Sequence, residues 1–99
     1  MLREQSNTEI IQEMGRRMKQ YRLTLGLTQR ELSEKANVSV PTIQKFEAGT
    51  ATNITLSNLL SLMRHTGLIE RADGIVPFEP ESPYTKRKIS KVRHGKQER

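Results

Sequence analysis

Ninety-nine residues, 33% of them hydrophobic, make one small domain with part of the chain left outside its core. The lack of cysteine excludes disulfides and thiolate metal sites, and no stretch approaches the ~20 apolar residues of a membrane span. The net charge is +6, and its placement is uneven: residues 1–84 hold ten Lys/Arg and ten Asp/Glu, whereas 85–99 hold Lys86, Arg87, Lys88, Lys91, Arg93, Lys96 and Arg99 against Glu98 alone. Such a run is either a solvated tail or a basic arm for a polyanion or an acidic partner. The opening MLREQSNTEI carries charge and no apolar run, so no secretory leader is expected and a cytoplasmic location is.

The first six residues read as frayed. Ser6 or Asn7 can cap a first helix, with Glu9 favourable near its N-terminal dipole. Ile10, Ile11, Met14, Met18, Tyr21 and Leu25 then recur at three- and four-residue spacing, an apolar stripe on a helix that Gly26 ends. Glu9, Gln12, Glu13, Arg16, Arg17, Lys19 and Gln20 make the opposite face. Gly15 inside the helix costs about 1 kcal/mol relative to Ala and marks either a close helix approach or simple tolerance.

The stretch Leu27–Gly49 is the most informative. Thr28 and Glu31 form a capping box that starts a second helix at Gln29, with Leu32 and Ala36 inward. Asn37 suits a left-handed turn, and Val38 plugs the corner. Ser39 caps a third helix, about Val40 to Ala48, with Pro41 in its first turn. Ile43, Phe46 and Glu47 share one side of it; Val40, Pro41, Gln44, Lys45 and Ala48 share the other. Two short helices joined by a tight break describe a helix-turn-helix, a motif that lays its second helix in the DNA major groove. After the polar connector TATNIT, Thr55 caps a fourth helix with a Leu56, Leu59, Leu60, Met63 stripe widened by Leu62, and Gly67 ends it. A short fifth helix spans about Leu68 to Asp73; with Ile75 and Val76 it either completes the core or forms part of a dimer interface. Pro77, Pro80 and Pro83 then favour extended chain, and 77–99 reads as a tail, disordered alone, beside a domain of residues 7–76.

Arg22, Gly26-Leu27-Thr28-Gln29-x-x-Leu32, Ala36-Asn37-Val38-Ser39 and Thr42-Ile43-x-x-x-Glu47-x-Gly49 resemble the Cro/C1-type, or XRE-like, helix-turn-helix family from about Met14 to Leu68. The resemblance implies an all-α, five-helix lambda-repressor-like domain, here followed by a basic C-terminal tail. It also implies roles. Gln29 matches a phosphate-contacting glutamine that braces the reading helix, and Val40, Pro41, Gln44 and Lys45 match base-reading positions. Thr42 matches a phosphate contact, and Arg22 with Glu47 matches an ion pair between helices 1 and 3. Arg30 beside Gln29 and Ser39 at the head of helix 3 complete the DNA-facing set. The chain departs from the family at Asn37, where Gly is usual, and at Val40-Pro41, where many members are polar. Pro41 cannot donate a hydrogen bond, so readout there rests on apolar contact, for instance with a thymine methyl.

Gly67-Leu68, Ile69–Asp73, Pro80-Glu81-Ser82-Pro83 and the basic run Lys86–Arg99 are similar in composition to HipB-like antitoxins, which are encoded beside a HipA-type kinase toxin. The reading is a sequence-specific transcriptional repressor, the autoregulating antitoxin of a HipBA-like operon. It would bind a pseudo-palindromic double-stranded operator as a homodimer, with helix 4 and Leu68–Val76 as the first choice of interface and a kinase-like toxin as a further partner. A stand-alone phage-type repressor falls in the same class; the alternative class is a protein–protein docking module that presents the C-terminal arm. His65 and His94 lie near no metal or triad constellation and no Gly-rich phosphate loop is present, so neither an enzyme nor a metal or cofactor site is expected.

Overall fold

Four side-chain caps punctuate the chain, and each begins an α-helix where the sequence places one. The computed structural model describes residues 2–51 and 53–77. The expected proline-rich stretch beyond Pro77 and the basic tail lie outside the described residues. The helices are α1 (Asn7–Thr24), α2 (Gln29–Ala36), α3 (Val40–Ala48) and α4 (Leu56–Arg64). Short 3-10 turns at Leu2–Glu4 and Ile69–Gly74 flank them, and no strand occurs among the described residues.

Ser6, not Asn7, caps α1, in a full capping box: its N–H donates to Glu9 Oε1 (2.8 Å) and its Oγ accepts from the Glu9 N–H (3.1 Å). Thr28 and Glu31 repeat the device on α2 at 2.8 and 3.0 Å. Ser39 accepts from the Thr42 N–H and Thr55 from the Asn58 N–H, heading α3 and α4. Asn37 ends α2 in the left-handed conformation, φ 57° and ψ 43°, as its side-chain chemistry allows.

Phe46, Leu32, Ile43 and Leu62 are fully buried, surrounded by Met18, Ala36, Val38 and Met63. All four α-helices supply this core, and Ile11, Leu27, Ile54, Leu59, Leu60, Leu68, Ile69 and Ala72 close over it. Burying a large aliphatic or aromatic side chain contributes about 1.5–3 kcal/mol, so the small cluster dominates folding. One buried hydroxyl, Thr66, is satisfied by donating to Leu62 O at 2.8 Å.

Some expectations need correction. The inward face of α1 is Ile11, Gly15, Met18 and Arg22, while Met14, Tyr21 and Leu25 remain 41%, 37% and 52% exposed. The helix is seated by Gly15 and Arg22, and that rotation carries one edge of the apolar stripe out of the core. In α4, Leu62 is the centre of the inward face and Leu56, about 120° around the helix from it, is exposed. The fifth helix is a 3-10 helix, Ile69–Gly74, whose three-residue period keeps Ile69 and Ala72 on one half-buried side. Likewise, Leu2–Glu4 forms a 3-10 turn where fraying is expected from the sequence.

Gly15 marks a close approach. A Cβ there would lie 1.8 Å from the Phe46 carbonyl oxygen and 2.7 Å from its carbon, so the α1 backbone rests directly on α3. Gln12, expected on the outer face, adds a second tie by donating from Nε2 to Gly49 O at 3.0 Å. Gly15→Ala must push backbone against backbone. The variant should lose about 1–3 kcal/mol of stability although alanine gains ~1 kcal/mol in helix propensity. A thermal melt at or above the wild-type midpoint would refute the close approach.

Candidate nucleic-acid interface

The helix pair α2–α3 is held at its base by one buried ion pair. Arg22 and Glu47 are 6% and 5% exposed. Arg22 donates from Nε to Glu47 Oε2 and from Nη2 to Glu47 Oε1, both at 2.8 Å, in the parallel fork that a guanidinium and a carboxylate allow. Its Nη1 donates to the Leu27 carbonyl at 2.7 Å. Gln29 donates from Nε2 to the same Glu47 Oε1 at 3.0 Å. The hydrogen bond to Glu47 raises the Arg22 pKa above its ordinary value, against a smaller opposing effect of burial. One carboxylate on α3 thus anchors α1, the turn after it and the start of α2.

This arrangement leaves the other side of α3 in solvent. Pro41, Gln44, Lys45 and Ala48 are exposed at i, i+3, i+4 and i+7, a single row along the helix. Val40 and Thr42 are half-buried. Ser39 and Thr42 spend their hydroxyls locally: Ser39 Oγ donates to Thr42 Oγ1 at 2.8 Å and accepts from the Thr42 N–H at 3.2 Å. Arg30, one residue into α2, is exposed and has no hydrogen bond or ion pair among the described residues. Gln29 is half-buried and already engaged with Glu47. The expected DNA-facing residues therefore all lie on α2, on α3 or at the Ser39 cap of α3, and the expected ion pair joins α3 to Arg22 on α1.

Several participants carry no readable sequence signal. The Leu27 carbonyl and Gln12 act through tertiary geometry alone. Thr50, Asn53, Thr55 and Asn58 line a crevice of about 410 Å³ together with Thr42 and Lys45, at the junction of α3 and α4. The Thr/Asn-rich composition of TATNIT is the one available hint of its polarity. Across the molecule, Glu13 accepts from Arg16 at 2.7 Å and from Arg17 at 2.8 Å, which lowers its carboxyl pKa and pairs two of the cations of α1. No cluster of three or more His, Asp or Glu suited to a metal ion occurs among the described residues, and no helix there is long and apolar enough to cross a membrane.

Removing one partner of a buried ion pair strands the other charge. Glu47→Ala is expected to cost about 3–5 kcal/mol and to release Gln29 and Arg22 together. Unfolding in urea with a midpoint equal to wild type would contradict the anchor.

A family model described as helix-turn-helix matches residues 18–72, more than half of the chain. Neither the curated proteins nor the solved structures yield a match.

Proposed function

The chain belongs to the Cro/C1-type helix-turn-helix family, a family of DNA-binding transcription regulators rather than enzymes, and we propose that it represses transcription by placing α3 in the major groove of an operator. The exposed row Pro41–Gln44–Lys45–Ala48, backed by the Arg22–Glu47 anchor, is the observation that carries this reading. Gln44 offers a donor and an acceptor suited to adenine N6/N7, and Lys45 a donor suited to guanine O6/N7. Arg30 and Gln29 at the N-terminus of α2, Ser39 and Thr42 at that of α3, and the Thr50–Asn58 crevice suit the flanking phosphates.

One such domain buries little DNA surface, so a two-fold homodimer on a pseudo-palindrome fits best, with half-sites about 34 Å apart. The face proposed for the dimer is a shallow groove between α4 and the 3-10 helix. Leu60 and Ile69 lie in it, while Leu56, Ile75 and Val76 are 59%, 44% and 83% exposed along it. The finer reading, an autoregulating HipB-like antitoxin with a kinase-like toxin as partner, is supported by the composition of residues 67–99 and by it alone.

Gln44→Ala should weaken cognate binding by about 1–3 kcal/mol and blur a single base position of a two-part footprint. An equal loss on random DNA would make Gln44 a backbone contact. The docking-module reading draws on a separate observation, the concentration of the whole net charge in 85–99, which suits an acidic protein partner as well as DNA. Deletion of 85–99 should lower DNA affinity at every sequence and flatten its salt dependence, by about 0.9 in log–log slope for each phosphate that the segment neutralises. An unchanged slope together with lost binding to a co-expressed kinase-like protein would assign the segment to protein docking instead.

A further inference from the structure

The first turn of α3 has an unusual surface for a helix that reads bases: between the Ser39 and Thr42 hydroxyls that flank it, Val40 and Pro41 offer no side-chain hydrogen-bonding group. Pro41 has no N–H and presents its ring to solvent. Val40 beside it is half-buried and aliphatic. The two hydroxyls that frame them, Ser39 and Thr42, are hydrogen-bonded to each other at 2.8 Å, and the Ser39 oxygen also takes the Thr42 N–H. Val40 and Pro41 thus form an apolar wedge between two hydroxyls suited to the backbone, and the polar readers Gln44 and Lys45 stand one turn behind it.

We propose that this wedge is a methyl reader: Val40 and Pro41 select thymine by contact with its 5-methyl group. The inference rests on the major-groove placement of α3 proposed above and names what its tip recognises. Thymine alone among the four bases carries a carbon substituent on its major-groove edge, whereas cytosine presents an amino donor, guanine two acceptors and adenine one of each there. Against Pro41 those polar groups lose water and gain no partner, which penalises all three, whereas the thymine methyl gains apolar contact. Residues three and four apart on a helix stand ~5–6 Å from one another, and successive bases rise about 3.4 Å. The selected thymine therefore falls within about two base pairs of the base that Gln44 reads.

Replacing thymine by deoxyuridine deletes the methyl and leaves every hydrogen-bonding group in place. The probe is a duplex enriched from a random-sequence library by the full chain, with each thymine of the half-site replaced in turn. One thymine near the Gln44-dependent base should show a loss of about fourfold, the scale of one buried methyl-sized group. That sensitivity should disappear in Pro41→Ser and shrink in Val40→Ala. Pro41 is exposed in a helix first turn, where a restored N–H needs no intrahelical partner, so helical circular dichroism should be unchanged in Pro41→Ser. Val40→Ala serves as the second variant should the first lose its fold. Indifference to deoxyuridine at every thymine overturns the methyl reader, as does a sensitivity that persists undiminished in both variants. Failure of the full chain to enrich any duplex would instead overturn the DNA-reading proposal itself.

Discussion

The buried Arg22–Glu47 pair is the constraint on which the remaining geometry hangs. A guanidinium taken out of water is tolerable only if its donors are met, and here the carboxylate meets two of its edges and the Leu27 carbonyl a third. Because Glu47 is on α3 and Leu27 closes the turn before α2, satisfying one charge fixes three parts of the chain at once. Gln29 joins the same oxygen and brings the first residue of α2 into register with α3. Such pairs often add little net stability over a well-packed apolar substitute, since desolvation offsets the attraction. What this one adds is position: the start of α2 and the body of α3 move as a single piece.

The two ends of α3 are treated oppositely. At its C-terminal end the Phe46 carbonyl touches Gly15, the Gly49 carbonyl accepts from Gln12, and the Lys45 carbonyl accepts from the Thr50 and Ala51 amides. Carbonyls that a helix end leaves unpaired are used here to clamp it. Its N-terminal turn needs only its own Ser39 cap and stays outside the clamp. A helix held at the back and open at the front is what insertion into a groove requires. Gly15 is indispensable to that clamp for lack of a side chain, a different reason from the conformational one that places Gly49 at φ 77°.

Local chemistry is legible in the sequence, and orientation is not. Caps at Thr28, Ser39 and Thr55, the left-handed Asn37 and the inward set Leu32, Ala36, Val38, Ile43 and Phe46 all follow from nearest-neighbour rules. Arg22 with Glu47 is reached through family resemblance, since nothing in either residue's neighbours announces a bond across 25 positions. The stripe of α1 misleads because hydropathy counts Gly15 and Arg22 as poor core residues, while the tertiary contacts make them the seat of the helix. Leu56, Tyr21 and Leu25 show the converse: apolar residues beside a stripe but off the face that the core selects. The Thr50–Asn58 crevice depends on two segments meeting, so composition suggests its polarity and not its existence.

Charge and recognition are separated along this chain in a way that bears on the proposed repressor. Among the cations of the described residues, Arg22 is consumed by Glu47, and Arg16 and Arg17 share Glu13. Arg30, Lys35 and Lys45 are the cations that α2 and α3 leave exposed. Three cations against a phosphate backbone supply only part of the counterion release on which DNA affinity ordinarily depends. The α3 surface, with an apolar tip followed by one amide and one ammonium, on the proposed reading discriminates more than it holds. The seven basic side chains of 85–99 are the largest concentration of positive charge in the sequence. On the proposed reading, specificity then resides in α3 and strength in the basic segment. Each would answer to a different variable: base identity for the first, salt concentration for the second. A partner that sequestered the basic segment would loosen the protein from all DNA alike without altering which site it prefers.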